Sequence, residues 1–142
     1  MPDLSLLELI ETLEAQCEDY QAMHREGVLQ RDCLRGDDLR GLNAATARMR
    51  LLMDRVGRRQ ATMPVELARL ERESPAVAER TECLRRTIRS VLELRDQSER
   101  AARDLLDDTR RQLHQVGAGR RASRGYRRHS SIQEARFVDN VR

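Results

Sequence analysis

The sequence predicts an all-α chain: an elongated antiparallel helical bundle or coiled coil of three long helices, followed by a disordered basic C-terminal tail. Three observations predict it. Charged residues make up 36% of the 142 positions and aromatics 2%, with no Trp and one Phe, Phe137. A core without large rings must be built from Leu, Ala, Val, Met and Ile, and a composition rich in Ala, Glu, Leu and Arg belongs to long packed helices. Apolar residues recur in steps of three and four, the spacing of one helix face. Gly and Pro fall at a few positions that divide the chain into helical segments.

The first helix is expected from about Asp3 to Leu34, with Leu6, Leu9, Ile10, Leu13, Cys17, Tyr20, Met23 and Val28 on one stripe. Asp3 is its expected cap. Its other face is acidic, with Glu8, Glu11, Glu14, Glu18 and Asp19. At Arg35-Gly36-Asp37-Asp38, Gly36 is the expected left-handed residue that closes this helix and Asp37 the cap of the next. So short a connection makes the two helices antiparallel neighbours.

The second helix carries Leu39, Leu42, Ala45, Met49, Leu52, Met53 and Val56. It ends or kinks by Pro64, which has no amide donor. A short continuation is expected over Val65 to Glu73. Ser74-Pro75 then opens the third helix, with Ser at the cap and Pro in the first turn, where a missing N–H costs nothing. This helix is expected to run from about Pro75 to Val116. Val77, Thr81, Leu84, Ile88, Val91, Ser98, Ala102, Leu105 and Thr109 keep a 3.5-residue repeat, broken at Arg95 where Leu94 is a partial substitute. Roughly 60 Å of helix against roughly 45 Å for the first leaves one end expected to extend beyond its partners, a binding surface if apolar.

The domain reading is a helical bundle over 1–116 and a flexible Arg-rich tail over 117–142. All 27 basic residues are Arg. From Gly117 onward seven Arg face Glu134 and Asp139, a charge of +5; the preceding part carries 20 Arg against 22 acids, or −2. The basic charge is a tail property. Residues 117–130 have little to bury and are expected to be disordered. Ser131-Ile132-Gln133-Glu134 fits a capping box, and Ile132, Ala135, Val138 and Val141 follow it at every third residue, with Phe137 alongside. A helix of about ten residues is marginal alone and is expected to order against a partner.

Catalytic chemistry is not expected. His24, His114 and His129 lie on separate segments without ligand spacing. Glu18-Asp19, Asp37-Asp38 and Asp107-Asp108 are sequence neighbours that diverge on a helix, so they read as solvated faces or caps. Gly117-Ala118-Gly119 follows no strand and is no phosphate loop. Cys17 and Cys83 fall on apolar faces as small buried residues of a reduced, cytosolic protein. Neither a metal nor a cofactor is expected, nor a signal peptide or membrane span.

Several stretches resemble the FlgN-type flagellar export chaperones: Leu9-x3-Leu13 with Tyr20-x2-Met23, the join Cys33 through Leu42, the run Thr46 through Leu52, the Leu/Arg-rich segment Leu84 through Leu106, and the tail with Tyr126 and Arg136-Phe137-Val138-Asp139. The double break at Pro64 and Ser74-Pro75 departs from the family pattern. The resemblance implies a small cytoplasmic chaperone that holds hook-associated proteins of the FlgK and FlgL type and delivers them to the export-gate component FlhA. It implies client contact by Leu92, Leu94, Ala101, Leu105, Leu106, Leu113 and Val116, and gate contact by Tyr126 and Phe137. The bare pattern also suits a coiled-coil scaffold or adaptor, or another type III secretion chaperone. Nucleic-acid binding is disfavoured, because the helical part is net negative and the tail has a single Tyr.

Overall fold

The computed structural model describes the backbone of residues 5–130 and the side chains of residues 5–125. It is all-helical over that range: α1 (Leu6–Arg35), α2 (Leu39–Gln60), α3 (Leu67–Glu73) and α4 (Pro75–Ser130). Asp3, the expected first cap, lies outside the described residues. The cap observed is Ser5, whose side chain accepts from the Glu8 amide while the Glu8 carboxylate accepts from the Ser5 amide. That reciprocal pair satisfies two orphan donors at once.

The α1–α2 corner differs from expectation by one residue. Gly36 has φ −90°, and the left-handed residue is Asp37, at φ 54°. The Asp38 amide donates to the Cys33 carbonyl (2.8 Å) and the Asp37 amide to that of Leu34 (3.4 Å). This is the paired closure of a Schellman motif, with Asp in the place glycine normally takes. The α2 cap is accordingly Asp38, which accepts from the Gly41 amide at 2.9 Å. A Cβ on Gly41 would collide with that carboxylate and lie 2.8 Å from the Cys33 sulfur, so the cap requires glycine there.

α1 and α2 are antiparallel, as the short corner demands. Glu26 accepts from Arg48 (2.9 Å), Asp19 from Arg55 (3.2 Å) and from Arg59, and the Gln30 amide donates to Thr46 (3.2 Å). α4 opens as expected, with Ser74 Oγ accepting from the Val77 amide at 3.4 Å. It runs alongside α1 in the same direction. Glu14 meets Arg80, Cys17 meets Cys83 and Arg31 meets Gln97, each 66 residues apart. α3 is tied to α4 by Glu71, which accepts from two nitrogens of Arg85.

The core follows from these pairings. Leu9, Leu13, Cys17, Val77 and Leu84 form one buried cluster, with Tyr20, Met63, Leu67, Leu70 and Ile88 against it. Met23, Leu52 and Val56 form a second, joined by Met49 and Val91. The inward line on α1 is 9, 13, 16, 20, 23, 27 and 30, alternating steps of four and three. Three of its members, Gln16, Gly27 and Gln30, are not conventional core residues. Gln16 is fully buried; its amide donates to the Val56 carbonyl (3.2 Å) and its Oε1 accepts from Arg59 (3.0 Å). Gly27 lies where all three long helices converge, since a Cβ there would sit 3.3 Å from Leu94 Cδ1 and 3.9 Å from Met49 Cε.

Contacts divide the chain into two units, Met1–Arg103 and Asp104–Arg142, where the sequence placed a boundary after residue 116. The backbone is helical to Ser130, through the 117–130 stretch expected to be disordered. Its glycines stand singly among Arg, Ala and Ser with no proline. Each Gly costs about 1 kcal/mol against Ala, which weakens a helix without ending it.

Two stability changes are expected in urea denaturation. Asp37→Gly relieves a left-handed non-glycine residue and should stabilise by about 0.5–1 kcal/mol. Gly27→Leu overpacks the convergence point and should destabilise by about 1–3 kcal/mol.

Candidate functional site

The candidate surface lies on the later part of α4. In the unit beginning at Asp104, the described side chains are exposed except Leu105, which is half-buried, and Gly117. Leu106 is 49% exposed, Leu113 67% and Val116 52%. Their spacing of seven and three, with Thr109 between, puts them on one narrow helical line. Thr109 turns its hydroxyl back to the Leu105 carbonyl (2.8 Å), so it asks for no external hydrogen-bond partner.

Charge flanks the line. Asp104, Asp107 and Asp108 precede Arg110 and Arg111, and Arg111 donates to Asp108 at 2.7 Å, an exposed i,i+3 pair worth little by itself. Arg110, Arg111, His114 and Gln115 border an open depression of about 420 Å³. The line is therefore apolar at its centre and polar at its edges, which is the anatomy of an interface patch.

The seven positions expected to touch a client separate into groups. Leu106, Leu113 and Val116 come together, with Leu105 beside them. Leu92 is exposed in the first unit. Leu94 and Ala101 are corrected to core positions, 5% and 9% exposed. Leu94 packs against Gly27. Arg95, which the strict repeat would turn inward, remains exposed, and the inward line steps from Val91 to Leu94 and later to Ala101 in place of Ala102. Burying an unpaired guanidinium costs far more than shifting the buried face by one residue. Tyr126 belongs to α4 by its backbone but its side chain, like all of Phe137, lies outside the described residues.

No group of His, Cys, Asp and Glu among the described residues is placed to hold a metal ion. No helix among them is long and apolar enough to cross a membrane. The sequence reading missed Gln16 and Arg59 as partners, and it treated Cys17 and Cys83 separately although their sulfurs are 3.3 Å apart. The common 66-residue offset between α1 and α4 joins them, and no local pattern contains that offset. No protein-family model, curated protein or solved structure matches the chain.

Leu113→Glu is expected to leave helix content unchanged and stability within about 0.5 kcal/mol, because the position is exposed. Leu94→Glu should unfold the first unit, since it buries a charge. Circular dichroism through a urea series compares the two.

Proposed function

We propose that the chain is a cytoplasmic export chaperone of the FlgN type. It holds a hook-associated protein of the FlgK or FlgL type and hands it to the export-gate component FlhA. On this reading α1, α2 and α4 form a three-helix bundle with coiled-coil-like seams, and the chain catalyses nothing. The observation that carries the proposal is the exposed Leu106–Leu113–Val116 line on a helix whose core-forming residues end at Ala101. A client that exposes an amphipathic helical terminus before it polymerises supplies the complementary stripe. Leu105, in the same unit, extends the client contact, whereas Leu92, Leu94 and Ala101 belong to the first unit. Tyr126 and Phe137 anchor the gate contact, aromatic side chains being frequent anchors at protein interfaces.

A second reading has its own support. Ala102, Leu106, Thr109, Leu113 and Val116 alternate steps of four and three, the spacing of a self-associating coiled coil. A scaffold built on that line would oligomerise without a client.

Mixing the purified chain with the C-terminal helical segment of a hook-associated protein should give a one-to-one complex by light scattering and calorimetry. Leu106→Glu and Leu113→Glu should each weaken it about 10- to 100-fold, the equivalent of losing one buried Leu. Equal affinity in both variants removes this surface from the proposal. Homo-oligomers that Leu113→Glu dissolves, with no client complex, favour the scaffold.

A further inference from the structure

Cys17 and Cys83 are drawn together by the parallel packing of α1 and α4, with their Sγ atoms 3.3 Å apart. Their environments differ. Cys17 is buried at 7% exposure, whereas Cys83 is half-buried. Cys83 lines an open cavity of about 570 Å³ together with Gln21, His24, Arg25, Arg86 and Thr87. Around Cys17 Sγ stand the Thr87 hydroxyl at 3.7 Å and the Gln21 amide at 3.8 Å. One thiol is thus reachable from solvent, and the second waits directly behind it.

We infer that Cys17 and Cys83 form a redox-responsive dithiol, in which Cys83 is the site oxidised by a small hydroperoxide entering the cavity and Cys17 the resolving thiol. This inference is independent of the client surface. In the first step the Cys83 sulfur, as thiolate, attacks the terminal oxygen of the peroxide. The O–O bond breaks, an S–O bond forms, and hydroxide (or alkoxide) leaves; sulfur is oxidised by two electrons and the peroxide reduced by two. In the second step the Cys17 sulfur attacks the Cys83 sulfenic sulfur. An S–S bond forms, the S–O bond breaks, and the sulfenic oxygen departs as water with the proton from Cys17.

The geometry suits that order. A disulfide needs the sulfurs at about 2.05 Å, so they must close by little more than 1 Å, within reach of side-chain rotation and a slight approach of two already packed helices. Burial, together with the hydrogen bond to Cys83, pushes the Cys17 thiol above its ordinary range. Cys17 therefore remains protonated and shielded from the oxidant until a sulfenic acid forms beside it. Gln21, His24, Arg25 and Arg86 share with Cys83 the lining of the cavity by which an oxidant would enter. Cys33 offers an internal comparison. It sits sixteen residues further along α1, about 24 Å away, with its Sγ 3.8 Å from the Asp38 carboxylate.

The product would clip the beginning of α4 to α1 across the first core cluster. It closes a 66-residue separation, and a cross-link of that span stabilises the native state chiefly by restricting the unfolded one.

The test uses the full chain carrying Cys33→Ser, so that no third thiol can exchange. After exposure to hydrogen peroxide and alkylation of remaining thiols, non-reducing peptide mapping should recover the Cys17 and Cys83 peptides joined, with loss of two hydrogens. The midpoint of urea denaturation should rise, and dithiothreitol should reverse both changes. With Cys17→Ser added, Cys83 should be trapped by dimedone; with Cys83→Ser instead, Cys17 should not react. Thiols at 17 and 83 that both remain alkylatable, or Cys83 oxidised beyond sulfenic acid while Cys17 stays free, would overturn the inference. Dimedone capture at Cys17 in place of Cys83 would overturn the order of the two steps.

Discussion

The first unit depends on the register of α1. Its inward line must serve two neighbours at once, because α2 returns along it antiparallel and α4 runs beside it at a constant offset of 66 residues. A helix that shares one line between two partners has no spare turn. Moving α4 by one residue would misplace Val77, Leu84 and Leu94 together, and moving α2 would strand Gln16. Three features resist such slips. The Gln16 side chain meets the Val56 carbonyl and Arg59 only in this register. Asp19 accepts from both Arg55 and Arg59. Gly27 accepts Leu94 at a point where any side chain would displace it. Leu, Val and Met provide the burial; these polar and empty positions select the alignment. A buried polar residue in a helical seam has the same effect elsewhere, trading stability for register.

The supply of apolar residues determines where that packing stops. With no Trp and no Phe before position 137, burial rests on small and medium side chains, and the buried hydrophobics run from Leu9 to Ala101. The helix continues past this point because nothing in the sequence halts it: Arg, Ala, Gln and Leu are good helix formers, and the glycines come singly. Exposure of Leu106, Leu113 and Val116 is a consequence of helix propensity outlasting the core, and so is the contrast in burial between the earlier and later parts of α4.

Much of this was legible in the chain. Helix existence, the corner at residues 35–38, the Ser74-Pro75 start and the core roles of Leu9, Leu13, Leu52, Val56, Val77 and Leu84 all follow from apolar periodicity and cap chemistry. The misses have physical causes. Gln16 and Gly27 occupy the inward line, but counting apolar residues passes over an amide and a hydrogen atom. Gly36 was the obvious left-handed residue, yet Asp37 takes that conformation, because the closing bonds from Asp37 and Asp38 fix it one position later and Asp tolerates it better than most. Leu94 was legible as a partial substitute for Arg95 on the inward line and was also expected to touch a client; Ala101 was expected only as a client contact, because the strict repeat pointed to Ala102. Only the opposing Gly27 makes room for Leu94, and that is a fact about a neighbouring helix. The thiol pair was illegible for the same reason: Cys17 and Cys83 belong to one site only once two helices are aligned.

The exposed line on α4 also bounds what it can do. Three side chains of this size gain about 1.5–3 kcal/mol each on full burial, roughly 5–9 kcal/mol before costs. Association itself costs about 4–15 kcal/mol, to which side-chain ordering adds. A partner that touched only Leu106, Leu113 and Val116 would dissociate readily, and a tight partner must cover ground beyond them, starting with Leu105 and the charged edges. The two readings of this surface therefore make different demands. A scaffold needs a permanent contact, and its line would have to continue; past Val116 its next positions are instead Arg120 and Ser123. A carrier needs a contact strong enough to shield a passenger and weak enough to release it. A short apolar line with ionic margins meets that second requirement, which is why the carrier is the reading preferred.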